Sequence, residues 1–80
     1  MRKSRELLLR FFHDPKFRFD DVEVCYVNRG VPGDISCISG DRITSLDSFY
    51  MEIESEWGKT PIPYHRLRKI LYKGIPVWEK

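Results

Sequence analysis

A single segment of this 80-residue chain has the periodicity of a helix, and this limits the folds open to it. Residues 4–13 place Leu8, Phe11 and Phe12 along one face, and Pro15 follows, so the helix should end just before it. Beyond this point, the apolar residues follow the short alternation of strands rather than a helical period. Because no second helix crosses between strands, a parallel sheet built from βαβ units is excluded.

The segments after the helix have the alternation that is typical of antiparallel strands. Residues 22–28 and 35–38 are two predicted strands, and the proline and glycine at 32 and 33 favour a type II turn between them. Phe49, Met51 and Ile53 alternate with polar residues, which predicts a half-buried strand. The secondary structure of residues 43–46 is ambiguous, because their apolar pattern does not identify its type.

The C-terminal third is predicted as a loop followed by a hairpin. Residues 57–63 contain two prolines and are interpreted as the loop, while residues 66–72 and 75–78 form the arms, with Pro76 on a sheet edge. We therefore expect an α+β fold, with one N-terminal helix packed on a curled, largely antiparallel, partly barrel-like sheet of about five strands. The length predicts a single domain over residues 1–80.

Composition points to a globular chain without metal or cofactor. Its mean hydropathy is −0.45, and its apolar runs are far shorter than the ~20 residues that span a bilayer. No signal peptide is visible, so we expect a cytoplasmic protein without membrane contact. Cys25 and Cys37 are twelve residues apart, which suits neither a redox pair nor a zinc site, and we expect both as reduced, buried thiols.

The charges are segregated along the chain. Residues 1–13 carry a net charge of +3, residues 14–56 of −6 and residues 57–80 of +5, which gives +2 in total. Two interpretations stay open. The basic ends form salt bridges with the acidic middle, or the C-terminal segment forms a surface that binds anions.

The strongest candidate for an anion site combines two segments. Arg29 lies in a loop with Gly30, and the word Ile-Pro-Tyr-His-Arg ends in His65 and Arg66, with Arg68 close behind. Guanidinium groups bind phosphate through paired hydrogen bonds, and glycine allows close approach of a ligand to the backbone. Because neighbouring strand residues face opposite sides, His65 and Arg66 can contact one ligand only if the strand begins after them or bends there.

Each candidate also has an ordinary structural explanation. Arg68 and Lys69 suit a charged sheet edge that discourages aggregation, and His65 suits a structural hydrogen bond under the preceding loop. Tyr26, Tyr72 and Trp78 are candidates for base stacking, although core packing is the better explanation for Trp78.

The same words resemble a family of small uncharacterised archaeal proteins. The matching residues, over a region from about Leu7 to Glu79, are Tyr26, Arg29, Gly30, Pro32, Asp34, Gly40, Asp41, Ile43, Ile62, Pro63, His65, Arg66, Ile70, Gly74 and Trp78. A similar domain in larger eukaryotic proteins is described as an RNA cyclic-group-end recognition domain. The resemblance implies RNA as a partner, RNA-processing proteins as further partners, and Arg29, His65 and Arg66 as phosphate contacts. Tyr26, Gly30, Asp34 and Arg68 are expected to support them.

Three functions remain open from the sequence. The first is a non-catalytic module that binds phosphate-bearing RNA ends, including 2′,3′-cyclic phosphates. The second is a phosphodiester-processing enzyme with His65 as general acid or base, although no second acid or base is evident. The third is a protein-interaction domain that uses an exposed sheet edge. The oligomeric state does not follow from the sequence.

Overall fold

In the computed structural model, which describes residues 3–80, one helix precedes seven short strands. The helix α1 spans Lys3–His13, and the strands are β1 (Val22–Val27), β2 (Ile35–Ser39), β3 (Ile43–Leu46), β4 (Tyr50–Ser55), β5 (Gly58–Pro63), β6 (Leu67–Tyr72) and β7 (Ile75–Glu79). The helix and the α+β class are as predicted. No helix within residues 3–80 has both the length and the apolar character that crossing a membrane requires.

The strands form two antiparallel sheets rather than the single, partly closed sheet that was expected. Four strands are ordered β2-β1-β6-β7, and three are ordered β3-β4-β5. The sheets are not closed into a barrel, and there are seven strands rather than about five. The predicted C-terminal hairpin is present, and Pro76 lies on the edge strand β7 as expected.

One cluster of buried side chains joins the helix and both sheets. Its members come from α1, from β1, β3, β4, β5 and β6, and from the turn before β6: Leu8, Phe11, Val22, Val24, Tyr26, Ile43, Met51, Ile53, Ile62, Tyr64, Leu67 and Ile70. Burial of such apolar surface is the main driving force for folding. Both sheets therefore depend on a shared core.

The segment interpreted as a loop at residues 57–63 is largely strand β5. It pairs with β4 along its length, from Ser55 opposite Gly58 to Tyr50 opposite Pro63. Proline lacks the N–H group that a ladder needs, but an edge strand leaves alternate N–H positions unpaired. Because β5 is at the edge of its sheet, its two prolines are tolerated there.

The two cysteines form a disulfide, which contradicts the prediction of reduced, buried thiols. Cys25 on β1 lies directly opposite Cys37 on β2, and only Cys25 is buried. Together with Glu23, they form the one cluster of metal-ligand side chains found within residues 3–80. Since both sulfurs are bonded to each other, this cluster has no thiolate to offer a metal.

A candidate anion-binding pocket

A polar cavity of about 500 Å³ lies where β1 ends and β6 begins. Six residues line it, and four of them are basic: Val27, Asn28, Arg29, His65, Arg66 and Arg68. The structure thus brings together the two sequence segments that were predicted to hold a phosphate. We call this cavity the arginine pocket.

Pairing between β1 and β6 explains why residues so distant in sequence converge. The two strands are antiparallel neighbours, with Tyr26 opposite Leu67. The chain therefore leaves β1 at the place where it enters β6. Arg29 follows the end of one strand, and His65 and Arg66 precede the start of the other.

His65 and Arg66 lie in a short 3₁₀ turn, Tyr64–Arg66, that precedes β6. Because the strand begins only at Leu67, the two side chains are freed from the strict alternation of a strand, as the site requires. The ring of Tyr64 anchors the turn, since it is only 2% exposed and its hydroxyl donates a hydrogen bond of 2.7 Å to the carbonyl of Asp47. His65 and Arg66 themselves are exposed.

A β-bulge at Arg68 adds the third arginine. Cys25 pairs with Lys69 and Tyr26 with Leu67, so Arg68 is the extra residue on β6. A bulge turns a side chain out of the regular alternation, and bulges are frequent beside functional sites. The shift in phase also explains why Leu67 and Ile70, three residues apart, are both buried.

Arg68 also stabilises the turn that carries His65. One guanidinium nitrogen donates hydrogen bonds of 3.3 Å to the carbonyl oxygens of His65 and Leu67. The ammonium group of Lys80 donates to the same His65 carbonyl at 3.2 Å. Within residues 3–80 no hydrogen bond engages the exposed imidazole of His65. The alternative role, a structural hydrogen bond from this ring, therefore has no support in the described residues.

The loop that carries Arg29 is closed by Asp34. Its carboxylate accepts a hydrogen bond of 3.3 Å from the backbone N–H of Gly30, and its carbonyl accepts one of 2.8 Å from Asn28. The predicted type II turn is present, with Gly33 at φ 76° and ψ −2° and a hydrogen bond from the Asp34 N–H to the carbonyl of Val31. Gly30 and Asp34 thus shape the loop without lining the pocket.

The arginines of the pocket have no carboxylate partners in the part of the chain that the structure describes. The three ion pairs there join Arg18 to Asp20, Lys59 to Glu52, and Lys69 to Glu79, and all are at the surface. No acidic residue lines the pocket. Its positive charge is therefore available to an anion, whereas Lys69 already has a counterion.

Tyr26 and Asn28 both depart from what the sequence predicted for the site. Tyr26 is 7% exposed and belongs to the core, so it does not reach the pocket. Asn28 does line it, although it was not among the residues predicted for the site. Its position beside Arg29, at the end of a predicted strand, could have indicated that it belongs to the site. Its amide nitrogen donates to the hydroxyl of Ser36 at 2.9 Å, which leaves the amide oxygen as an acceptor near the pocket.

The aromatic candidates for base stacking are packed elsewhere. Tyr72 stacks on Phe11, with ring centroids 5.0 Å apart, and meets Phe17 edge-on. Trp78 is partly buried against the core. Neither residue lines the arginine pocket.

Comparison with known proteins assigns the chain to a family. Residues 1–80 match the family model described as the MJ1316 RNA cyclic group end recognition domain. A UPF0248 protein of Pyrococcus abyssi is 37% identical over 82 aligned residues, which cover 99% of this chain and 93% of that protein. UPF0248 proteins of Pyrococcus furiosus and Thermococcus onnurineus are 32% and 30% identical, again over 99% of this chain and over 92% and 88% of theirs. No solved structure gives a significant match. The chain therefore belongs to the family of the MJ1316 RNA cyclic group end recognition domain, whose archaeal relatives are UPF0248 proteins.

Proposed function

We propose that this chain binds phosphate-bearing RNA ends, including 2′,3′-cyclic phosphates, in the arginine pocket. The observation that carries the proposal is the convergence of Arg29, Arg66 and Arg68 on one cavity that no acidic residue lines. Arginine holds phosphate oxygens through paired, charge-assisted hydrogen bonds. The description of the matching family as an RNA cyclic group end recognition domain supports RNA ends as the ligand class.

The residues differ in their proposed roles. Arg29 and Arg66, which come from two different segments of the chain, together hold the phosphate. His65 donates a hydrogen bond to a phosphate oxygen. Arg68 is a positioning residue, because its guanidinium group bonds to the carbonyl of His65 and so fixes the turn.

A binding role suits this pocket better than acid–base catalysis. Opening a cyclic phosphate needs one group that removes a proton and another that delivers one. Apart from the imidazole of His65, the pocket is lined by three guanidinium groups, an amide and a valine, none of which is a usual general acid or base. The proposal is therefore for recognition of the end, with the phosphodiester left intact.

Titration by fluorescence anisotropy tests the proposal. The ligand is a labelled six-nucleotide RNA that ends in a hydroxyl, a phosphate or a 2′,3′-cyclic phosphate. Chromatography of the RNA after each titration measures whether the cyclic end survives. We expect tighter binding of the phosphorylated ends than of the hydroxyl end.

Arg66→Ala and Lys69→Ala are the matched variants. Arg66 lines the pocket, whereas Lys69 lies 3.7 Å from the carboxylate of Glu79. Loss of a charged hydrogen-bond donor costs roughly 1.5–3 kcal/mol, so Arg66→Ala should weaken binding of the cyclic end by about ten- to a hundredfold. Lys69→Ala should change it by less than about threefold. Equal losses in both variants, or equal binding of all three ends, would contradict end recognition.

A further inference from the structure

Phe49 is an apolar residue that the sequence pattern assigns to the core and the structure places in water. It is in phase with Met51 and Ile53, which are both buried, yet Phe49 is 83% exposed. Leaving such a large ring in water forgoes the favourable free energy of its burial. The position of the ring therefore needs an explanation.

The short segment before β4 that carries Phe49 is firmly held. The carbonyl oxygen of Asp47 accepts hydrogen bonds from the Arg5 guanidinium at 2.8 Å and from the Tyr64 hydroxyl at 2.7 Å. The backbone N–H of Asp47 donates to the carbonyl of Tyr50 at 2.9 Å. A ring presented by an ordered segment loses less conformational entropy when a ligand stacks on it.

The same segment lies beside the turn that carries the phosphate-binding residues. The backbone N–H of Tyr64 donates to the carbonyl of Phe49 at 3.4 Å, and Tyr50 pairs with Pro63. His65 is the next residue along the chain. The backbone of Phe49 is thus hydrogen-bonded to Tyr64, and the residue that follows Tyr64 lines the arginine pocket.

We propose that Phe49 stacks against the nucleobase of the RNA end whose phosphate the arginine pocket holds. This inference rests on the proposed function and adds a base subsite to it. The base and the 3′ phosphate of a nucleotide are joined through one ribose, so a base surface must lie close to the phosphate pocket. Every base has a π face, and an aromatic ring therefore binds the terminal nucleotide without reading its identity.

Tyr72, Trp78 and Trp57 do not fill this role. Tyr72 and Trp78 are packed against the protein. Trp57 is 93% exposed, but it lies in the turn between Ser55 and Gly58, at the end of the β4–β5 hairpin remote from Tyr50 and Pro63. Trp57 is therefore a matched control, with an exposed ring far from the pocket.

A double-mutant cycle between protein and RNA tests the base subsite. One labelled RNA ends in an intact nucleotide with a 2′,3′-cyclic phosphate, and the other replaces that nucleotide by a base-free ribose analogue with the same cyclic phosphate. Removing a stacking ring costs roughly five- to a hundredfold in affinity per base. We expect this loss for Phe49→Ala with the intact end and no loss with the base-free end, whereas Phe49→Trp should bind the intact end at least as tightly as the native protein.

The controls separate the possible failures. Trp57→Ala should leave both affinities unchanged, and circular dichroism should show that Phe49→Ala keeps the native fold. If Phe49→Ala binds the intact end normally while Arg66→Ala does not, the base subsite is wrong and the phosphate pocket stands. If Phe49→Ala weakens both RNAs equally, the ring acts through the fold and the base subsite is also wrong. If the native protein binds neither end, both proposals fail.

Discussion

Tyr64 connects the arginine pocket to the core at the scale of one residue. Its ring is buried, and its hydroxyl donates to the carbonyl of Asp47 at 2.7 Å. Tyr64→Phe removes this hydrogen bond and keeps the ring. We expect the free energy of unfolding to fall by about 1 kcal/mol, measured by urea denaturation at neutral pH. The loss should stay modest because Arg5 also donates to that carbonyl.

The same tyrosine predicts a pH dependence. Burial raises the pKa of Tyr64 above its ordinary value near 10, although the nearby Arg5 guanidinium opposes the shift. As the pH rises past about 10, Tyr64 loses its phenolic proton in the unfolded chain before it does so in the folded chain. The contribution of Tyr64 to stability is therefore complete below about pH 10 and declines as the pH rises further. The stability difference between the native protein and Tyr64→Phe should shrink as the pH rises above about 10, and a constant difference would contradict the assignment.

At the scale of elements, the turn that follows Arg29 depends on Gly33. Its φ of 76° is in the left-handed region, and a side chain there would meet no atom within 4 Å. Gly33→Ala should therefore act through backbone strain alone and lower the free energy of unfolding by about 1–2 kcal/mol. Asparagine tolerates this region, so Gly33→Asn should cost less. Thermal or urea unfolding of both variants measures the difference, and equal costs would mean that strain at this position is not the cause.

The elements also show how far the sequence predicts the site. Arg29, His65, Arg66 and Arg68 were selected because their side chains suit phosphate. Their convergence was not predictable, because it depends on the pairing of β1 with β6 over about forty residues of chain. The bulge at Arg68 was not predictable either, because alternation in the sequence does not show where a strand gains an extra residue.

Two errors in the prediction have physical causes that are visible in the pairing. The prolines of β5 suggested a loop, but an edge strand tolerates them. The disulfide could have been found, because Cys25 and Cys37 are equally far from the centre of the loop between two correctly predicted strands. That symmetry makes them opposite neighbours in an antiparallel hairpin. The expectation of reduced thiols rested on the assumed compartment instead of on this geometry.

At the scale of the whole molecule, the charges that are segregated along the chain do not neutralise each other segment against segment. The acidic middle does not neutralise the basic C-terminal segment as a block, because the ion pairs within residues 3–80 are few and exposed. Arg66 and Arg68 instead meet Arg29, a cation from the acidic middle, at one cavity. A net charge of +2 thus coexists with a concentrated positive site.

This concentration of charge predicts a weak dependence of RNA binding on salt. Each phosphate that is neutralised on a single strand adds about −0.7 to the slope of log K against log salt concentration. Arg29 and Arg66, the two arginines proposed to hold the phosphate, limit the slope to about −1.4, whereas a diffuse basic surface would neutralise more phosphates on a longer RNA. Anisotropy titrations across a salt series should give the same slope for cyclic-ended RNAs of about six and twelve nucleotides, and Arg66→Ala should make the slope shallower by about 0.7. A slope that steepens with length and ignores Arg66→Ala would show that the RNA binds across the surface and not by its end.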